Sequence, residues 1–236
     1  MSTMQLHTDA SLAYLAPAVP ARPRRLLVLC HGVGGNETNL LALAQHSPAD
    51  TVAVLARGPL ALAPSQYAWF QVAFGPHGPR PDLGAAEQSR QQLAIFIEQM
   101  QTAHGIAAAD TVVAGFSQGG IMSASVALTR PELVAGFGVL AGRILPELEP
   151  QVATADALRL LRAFIGHGRD DSKLAVDWAH RADAWLTRLG IGHETRLYPG
   201  DHAITAQMQA DFLAWFAATA GRAPSLGTTS TSGHAA

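Results

Sequence analysis

The chain has 236 residues, of which 48% are hydrophobic, so it is long enough for one α/β domain with a sizeable core. Its formal net charge is −2 and its Lys and Arg residues are scattered, which argues against a nucleic-acid partner and against a polybasic membrane anchor. Cys30 is the single cysteine, which excludes an internal disulfide.

The first 24 residues precede any regular pattern and are expected to form a lead-in to the domain. Their start, MSTMQLHTDA, lacks the basic residues and the continuous apolar run of a secretion signal. No apolar run elsewhere approaches the roughly 18 residues that a membrane helix needs. The sequence therefore predicts a cytoplasmic protein with no membrane span.

From about residue 25 onward, strand-like and helix-like segments alternate. The predicted strands are RLLVLC (25–30), TVAVLA (51–56), TVVAGF (111–116), LVAGFGVL (133–140), RAFIGHG (162–168) and HETRLYP (193–199). The predicted helices, with apolar residues at helical spacing, are 85–103, 119–129, 174–189 and 203–218. This alternation favours an α/β domain over residues 25–220, with a mainly parallel central sheet and helices on both faces. The Ser, Thr and Gly rich residues 221–236 are expected to be a flexible tail.

Two connections between these elements are informative. The stretch 58–83 is long, rich in Pro and Gly, and contains Trp69, Phe70 and Phe74. Long loops in compact domains tend to be functional, so these aromatic residues are expected to line a substrate pocket. A surface loop pinned by its own aromatic side chains, or an apolar interface, is the alternative. The connection 141–161 is too short for a cap domain.

The stretch VVAGFSQGGIMSAS contains the pattern GxSxG at Ser117, between a predicted strand and a predicted helix. A serine at such a turn has strained backbone geometry, and flanking glycines remove side chains that would collide there. The turn also directs a helix amino terminus at developing negative charge. This setting predicts that Ser117 is a nucleophile rather than part of a plain glycine-rich turn.

A serine nucleophile needs a histidine base that is oriented by a carboxylate, in the chain order Ser, Asp or Glu, then His. His180 lies in an amphipathic helix, His193 opens a strand, and His234 lies in the tail. His202 follows the last strand in the turn PGDHAI, where catalytic groups gather at the carboxyl ends of strands. By elimination, His202 is the predicted base.

The predicted acid lies at the carboxyl end of the preceding strand, in FIGHGRDDS. Asp170 and Asp171 both occupy suitable positions there. Spacing alone does not choose between them. The carboxylate that is not used is expected to bond its own backbone in the turn or to cap the following helix.

The predicted oxyanion loop follows the first strand, in LLVLCHGVGGNETNL. An apolar strand followed by His-Gly and Gly-Gly is typical of a loop that offers a backbone N–H to an oxyanion. Here the donors are expected to be the amides of Val33 and of Gln118, the residue after the nucleophile. A tight turn without function is the alternative. Cys30 is expected to be a buried small residue rather than a redox centre.

Together, HGVGG, AWF, GFSQGG, HGRDD and YPGDH make the chain resemble the phospholipase/carboxylesterase family of α/β-hydrolases, over nearly its whole length. This family includes acyl-protein thioesterases and small bacterial carboxylesterases. The resemblance implies an α/β-hydrolase fold. It also places the acid four residues after His167, at Asp171, and the base at His202.

The residues and the resemblance agree on a carboxylesterase-type serine hydrolase that cleaves esters, with thioesters also open, of short to medium acyl chains. Lysophospholipase or acyl-protein thioesterase activity is one alternative, and cleavage of other bonds by the same triad is another. A ligand-binding protein without turnover is the alternative outside the enzymes. Neither HExxH nor CxxC is present, so no cofactor and no metal are expected. The expected partner is a small-molecule ester, and a homodimer stays open because family members are often dimers.

Overall fold

The computed structural model describes residues 5–75 and 78–221. The strands, in chain order, are β1 (Leu6–His7), β2 (Tyr14–Leu15), β3 (Arg25–Cys30), β4 (Thr51–Ala56), β5 (Leu60–Ala63), β6 (Gln66–Ala68), β7 (Val72–Gly75), β8 (Gly78–Pro81), β9 (Thr111–Phe116), β10 (Gly136–Leu140), β11 (Arg162–Gly168) and β12 (Gly192–Tyr198). The helices are α1 (Leu41–Gln45), α2 (Leu83–His104), α3 (Gln118–Thr129), α4 (Ala155–Leu158), α5 (Asp177–Arg188) and α6 (Ala206–Thr219).

Eight strands form the central sheet, in the order β1-β2-β4-β3-β9-β10-β11-β12. The six strands from β4 to β12 in this order are parallel, and β2 and β1 are added antiparallel at one edge. All six predicted strands are therefore present, and the mainly parallel sheet is confirmed. Parallel strands place all their carboxyl ends at one edge, and this edge collects the loops that carry the candidate site.

Helices cover both faces of the sheet, as the alternation of side chains in the strands requires. In β3, Leu26 and Val28 pack with the core on one side, whereas Leu27 and Leu29 pack with the core on the other. The first core includes buried residues of α2, α3 and α5, and the second includes residues of α1 and α6. Among the described residues, no helix combines the length and the apolar content that a membrane crossing requires.

The structure differs from the sequence prediction in the stretch 58–83. This stretch forms two antiparallel hairpins, β5 with β6 and β7 with β8, where the sequence predicted an irregular loop. Two short strands, β1 and β2, also lie in the stretch expected to be only a lead-in. The connection 141–161 contains one short helix and a six-residue 3-10 helix, and no cap domain is inserted there.

Candidate active site

Ser117 lies at the sharp turn between β9 and α3. Its backbone has φ 54° and ψ −114°, a conformation that is strained for a residue with a side chain. The turn is held by the Ser117 amide, which donates to the carbonyl of Leu140 at 2.9 Å, and by the Ser117 carbonyl, which accepts from the Gly120 amide at 3.0 Å. The neighbouring backbone therefore fixes the position of the serine hydroxyl.

The glycines around Ser117 let the helix and two strands approach closely. A Cβ atom on Gly119 would lie 2.0 Å from the carbonyl oxygen of Cys30, and one on Gly115 would lie 2.2 Å from the carbonyl carbon of Gly119. Both distances are shorter than any allowed contact between such atoms. The spacing in GFSQG thus lets α3 begin directly against the ends of β3 and β9.

Three side chains that the sequence singled out form one hydrogen-bonded chain. The Ser117 hydroxyl lies 3.0 Å from Nε2 of His202, and Nδ1 of His202 lies 2.7 Å from Oδ2 of Asp171. An ionised carboxylate only accepts hydrogen bonds, so Nδ1 carries the proton and Nε2 is free to accept from the serine. The His202 side chain is 17% exposed and the Asp171 side chain is fully buried.

The Asp171 carboxylate is held ionised by its neighbours. Burial by itself raises the pKa of Asp171, but hydrogen bonds from the Leu174 amide, the His202 imidazole and the Lys173 amide outweigh it, so the pKa lies below its ordinary value. The amides donate to Oδ1 at 2.8 and 2.9 Å. Nε2 of the buried His167 lies 3.3 Å from Oδ2 and donates to the Leu174 carbonyl at 2.8 Å.

The adjacent carboxylate, Asp170, faces a different group. Its amide donates to the Gly200 carbonyl at 3.1 Å and its Oδ2 lies 3.4 Å from the Gly200 amide. A third carboxylate, Asp201, accepts from the amides of Ser172 and His202, both at 2.7 Å. Asp201 thereby connects the loop after β11 to the loop after β12, a role that the sequence analysis did not identify.

The two amides expected to bind an oxyanion lie on either side of Ser117. Gln118 is the first residue of α3, and a helix amide at this position has no acceptor within its own helix. Val33 lies in the loop after β3, and a Cβ atom on the preceding Gly32 would come 3.3 Å from Cβ of Ser117. Among the described residues, neither amide donates a hydrogen bond to a protein acceptor. The loop after β3 and the start of α3 therefore both border the serine.

The side chain of Gln118 connects α3 to the stretch 58–83. Its Oε1 accepts from the Trp69 amide at 2.9 Å, and its Nε2 donates to the Phe70 carbonyl at 2.8 Å. The Trp69 indole donates to the His31 carbonyl at 2.9 Å, and Nε2 of His31 accepts from the Gly58 amide at 2.9 Å. The sequence analysis considered only the amide of Gln118, because a buried amide side chain leaves no pattern.

The structure corrects the expectation that aromatic residues of the stretch 58–83 line a pocket. Trp69 and Phe70 are each 1% exposed and pack in the core with α2 and α3, because Gln118 holds their backbone against the helix. The side chain of Phe74 lies outside the described part of the chain. Cys30 is buried as expected, and burial raises the pKa of its thiol.

An open cavity of about 450 Å³ lies beside the loop after β3. Its apolar lining comes from Val33, Leu40, Phe116 and Ile204, and its remaining lining from Asn39 and the glycines of the loop after β3. Phe116 precedes Ser117, and its ring centroid lies 4.9 Å from that of His202. The cavity is thus adjacent to the catalytic candidates, and its apolar walls suit a hydrocarbon group.

No metal site is apparent in the part of the chain that the structure describes, since no three His, Cys, Asp or Glu side chains are grouped to hold an ion. The arrangement offers a hydroxyl, an imidazole, a buried carboxylate and two unpaired amides at one edge of the sheet. These are the groups that acyl transfer through a serine requires.

Comparisons with solved structures give several esterases of similar fold. Esterase PE8 is 26% identical to this chain and superposes with a TM-score of 0.76. The match covers 90% of this chain and 100% of esterase PE8. A carboxylesterase from Mesorhizobium loti is 24% identical over 92% of this chain and 99% of its own, with a TM-score of 0.79. The Bacillus cereus carboxylesterase is 19% identical over 92% of this chain and 95% of its own, with a TM-score of 0.74.

These likenesses confirm the α/β-hydrolase fold. A comparison with curated proteins gives no match. The family described as Phospholipase/Carboxylesterase matches residues 16–219, which include every element from β3 to α6. The chain therefore belongs to the phospholipase/carboxylesterase family.

Proposed function

We propose that this protein is a serine hydrolase that cleaves carboxylic esters of short to medium acyl chains, and the corresponding thioesters, through an acyl-enzyme. The observation that carries the proposal is the continuous hydrogen-bonded chain from Ser117 through His202 to Asp171, on a strained turn between β9 and α3. Strain at one serine is costly and serves no evident purpose in a protein that only binds a ligand.

In the first half of the reaction, the Ser117 oxygen attacks the acyl carbon while Nε2 of His202 accepts its proton. Asp171 holds the imidazole in the required tautomer and stabilises the imidazolium that forms. The amides of Val33 and Gln118 donate to the oxyanion of the tetrahedral intermediate. His202 then gives the proton to the leaving alcohol or thiol, and the acyl group stays on Ser117.

In the second half, a water molecule attacks the acyl-enzyme as His202 accepts one of its protons. The same two amides bind the second oxyanion, and collapse of this intermediate releases the carboxylic acid and restores the serine hydroxyl. The apolar cavity lined by Leu40, Phe116 and Ile204 supports a hydrocarbon group as part of the substrate. The cavity is open to solvent and no cap domain is inserted in the connection 141–161. Both features support a bulky group on the side of the scissile bond away from the cavity.

Hydrolysis of p-nitrophenyl esters from acetate to decanoate tests the proposal, with a butyryl thioester as a further substrate. We expect the highest kcat/KM among the short and medium chains, and at least a roughly 10³-fold loss of kcat in Ser117→Ala. Ser11→Ala, which alters a serine between β1 and β2 at the edge of the sheet whose hydroxyl donates to the Gln92 carbonyl at 3.1 Å, serves as the matched control. A folded wild-type protein that hydrolyses none of these substrates would contradict the proposal and favour a ligand-binding protein.

A further inference from the structure

Two loops flank Ser117, because β9 lies between β3 and β10 in the sheet. The loop after β3 contains the glycines beside the apolar cavity. The segment after β10 contains Gly142 and Arg143. A Cβ atom on Gly142 would lie 2.8 Å from the carbonyl oxygen of Ser117, so this segment borders the serine on the side away from the cavity. The backbone of Arg143 therefore lies next to the candidate nucleophile.

The Arg143 side chain is half-buried and stacks on an aromatic ring. Its guanidinium carbon lies 4.6 Å from the ring centroid of Trp178, near the start of α5. The guanidinium carbon of the exposed Arg181 lies 4.9 Å from the same centroid. Stacking uses the faces of a guanidinium and leaves its in-plane N–H donors available.

Those donors have no partner among the described residues. Arg25, Arg57 and Arg90, which are also partly buried, each donate to a carboxylate. Arg143 makes neither a hydrogen bond nor an ion pair within the described part of the chain, and the Glu147 carboxylate only raises its pKa from a distance. An arginine with this burial and no acceptor has five donors to offer a ligand.

Partial burial strengthens what these donors can do. Burial lowers the pKa of the Arg143 guanidinium, although it stays charged at neutral pH. Since water screens the group less than it screens an exposed arginine, an anionic oxygen that reaches it gains a strong charge-assisted hydrogen bond. The planar donor pair matches the two oxygens of a carboxylate or a phosphate.

We propose that Arg143 binds an anionic oxygen group, a carboxylate or a phosphate, that the substrate carries close to its scissile ester bond. This inference rests on the proposed function and names the substrate class of the same site. The preferred substrate has an apolar group in the cavity beside the loop after β3 and an anionic group on the opposite side of Ser117. The Trp178 ring holds the Arg143 guanidinium in place.

The test compares kcat/KM for anionic esters and neutral esters of the same size. The butyryl ester of glyceric acid against that of glycerol is the carboxylate arm, and the butyryl ester of glycerol 3-phosphate against that of glycerol is the phosphate arm, so the acyl group is the same in both arms. Arg143→Met is expected to lower kcat/KM for the anionic ester of one arm by about 10- to 100-fold, and for neutral esters by less than about threefold. The arm that responds identifies the anion.

Arg181→Met is the matched control, because it removes an exposed arginine from the same tryptophan ring; we expect it to change either value by less than about threefold. Should Arg143→Met fail to fold, Arg143→Lys keeps the charge without the planar fork. Inhibition of neutral-ester hydrolysis by glutarate or inorganic phosphate in the wild-type protein then gives a second measurement, and we expect one of the two to compete.

Equal losses for anionic and neutral esters in Arg143→Met would overturn the inference, and so would no loss at all. The wild-type protein could also hydrolyse neutral esters as well as their anionic counterparts, with no inhibition by either anion. That result would overturn the inference about Arg143 but leave the proposed function standing. A wild-type protein that hydrolyses no ester would overturn the proposed function as well. The outcomes therefore separate the two proposals.

Discussion

At the scale of single residues, two adjacent carboxylates after β11 differ in what they contact. Asp171 is buried and lies 2.7 Å from Nδ1 of His202, whereas Asp170 is exposed and contacts the backbone of Gly200. Only the first of them can orient the imidazole.

Substituting the two carboxylates separately tests this difference. We expect Asp171→Asn to lower kcat by about 10³- to 10⁴-fold, because an amide at this position favours the wrong imidazole tautomer. Asp170→Asn, the matched control, is expected to change kcat by less than about threefold. Steady-state kinetics on p-nitrophenyl butyrate measures both, and equal losses in the two variants would contradict the assignment.

The sequence identifies some residues of the candidate site more clearly than others. Ser117 and His202 could be predicted because the glycine pattern and the order of elements leave few choices. Residue spacing could not separate Asp170 from Asp171, since both follow the same strand, and the resemblance alone favoured Asp171. The side-chain contacts of Gln118 and Arg143 were missed because they involve neighbours that are distant in sequence.

At the scale of elements, the loop after β3 is held by an ion pair. Both oxygens of Glu37 accept from Arg57, at 2.6 and 2.7 Å, and the Arg57 guanidinium carbon lies 4.4 Å from the ring centroid of Tyr67. The amides of Gly34 and Tyr67 add hydrogen bonds between this loop and β6, each at 2.8 Å. The position of the Val33 amide therefore depends on contacts with the first hairpin.

We expect Glu37→Gln to lower the free energy of unfolding by about 1–3 kcal/mol at pH 7, because it breaks a partly buried bidentate pair. The hydrogen bond from Arg57, its largest cause, holds the pKa of Glu37 below its ordinary value of 4.5. The pair therefore stabilises the folded state above pH 4.5, and this contribution is lost as the pH falls through the lowered pKa. Urea unfolding at several pH values measures the difference.

The matched control for this ion pair is Glu98→Gln, which alters an exposed pair with Arg130 at 3.0 Å. Exposed pairs contribute little, so we expect a change within about 0.5 kcal/mol. A loss in Glu37→Gln that stays the same at pH 7 and at pH 3 would show that the charge of Glu37 is not involved.

The strands and long helices could be predicted from sequence because buried strands and amphipathic helices have clear patterns. The predicted bounds of β3, β4, β9 and β11 agree with the structure, whereas the helices differ by up to three residues at their ends. The hairpins of the stretch 58–83 were missed because their strands have only three or four residues, and those of the second hairpin contain Gly or Pro. Such strands form only where tertiary contacts support them.

At the scale of the whole molecule, the sheet separates two cores, and the second depends on α6. Phe212 is fully buried there, with its ring centroid 5.7 Å from that of Phe164 and 5.8 Å from that of Trp215. Because α6 begins a few residues after His202, its packing on the sheet also fixes the end of the loop that carries His202.

Phe212→Ala removes a large side chain from this second core. We expect the free energy of unfolding to fall by about 3–5 kcal/mol, and the melting temperature by roughly 6–20 °C. Leu160→Ala, at a side chain that is 72% exposed, is the control and is expected to change the stability by less than about 0.5 kcal/mol. Calorimetry measures both, and an unchanged melting temperature in Phe212→Ala would contradict the central place of α6.

The overall architecture could be predicted because the alternation of strands and helices allows few arrangements of a parallel sheet. The antiparallel edge formed by β1 and β2 could not, since two-residue strands have no detectable period. The walls of the apolar cavity were not predicted either, since the sequence analysis expected the aromatic residues of the stretch 58–83 to line the substrate pocket. The cavity walls at Leu40 and Ile204 come from loops that are far apart in sequence and meet only in the fold.

The central claim is that Ser117 is a nucleophile activated by His202. Reaction with a fluorophosphonate, followed by mass spectrometry of the proteolytic peptides, tests it most directly. We predict one adduct per chain, located on Ser117, absent in Ser117→Ala and formed at least about 10²-fold more slowly in His202→Ala. An unmodified Ser117 in the folded protein, or labelling at the same rate without His202, would contradict the claim.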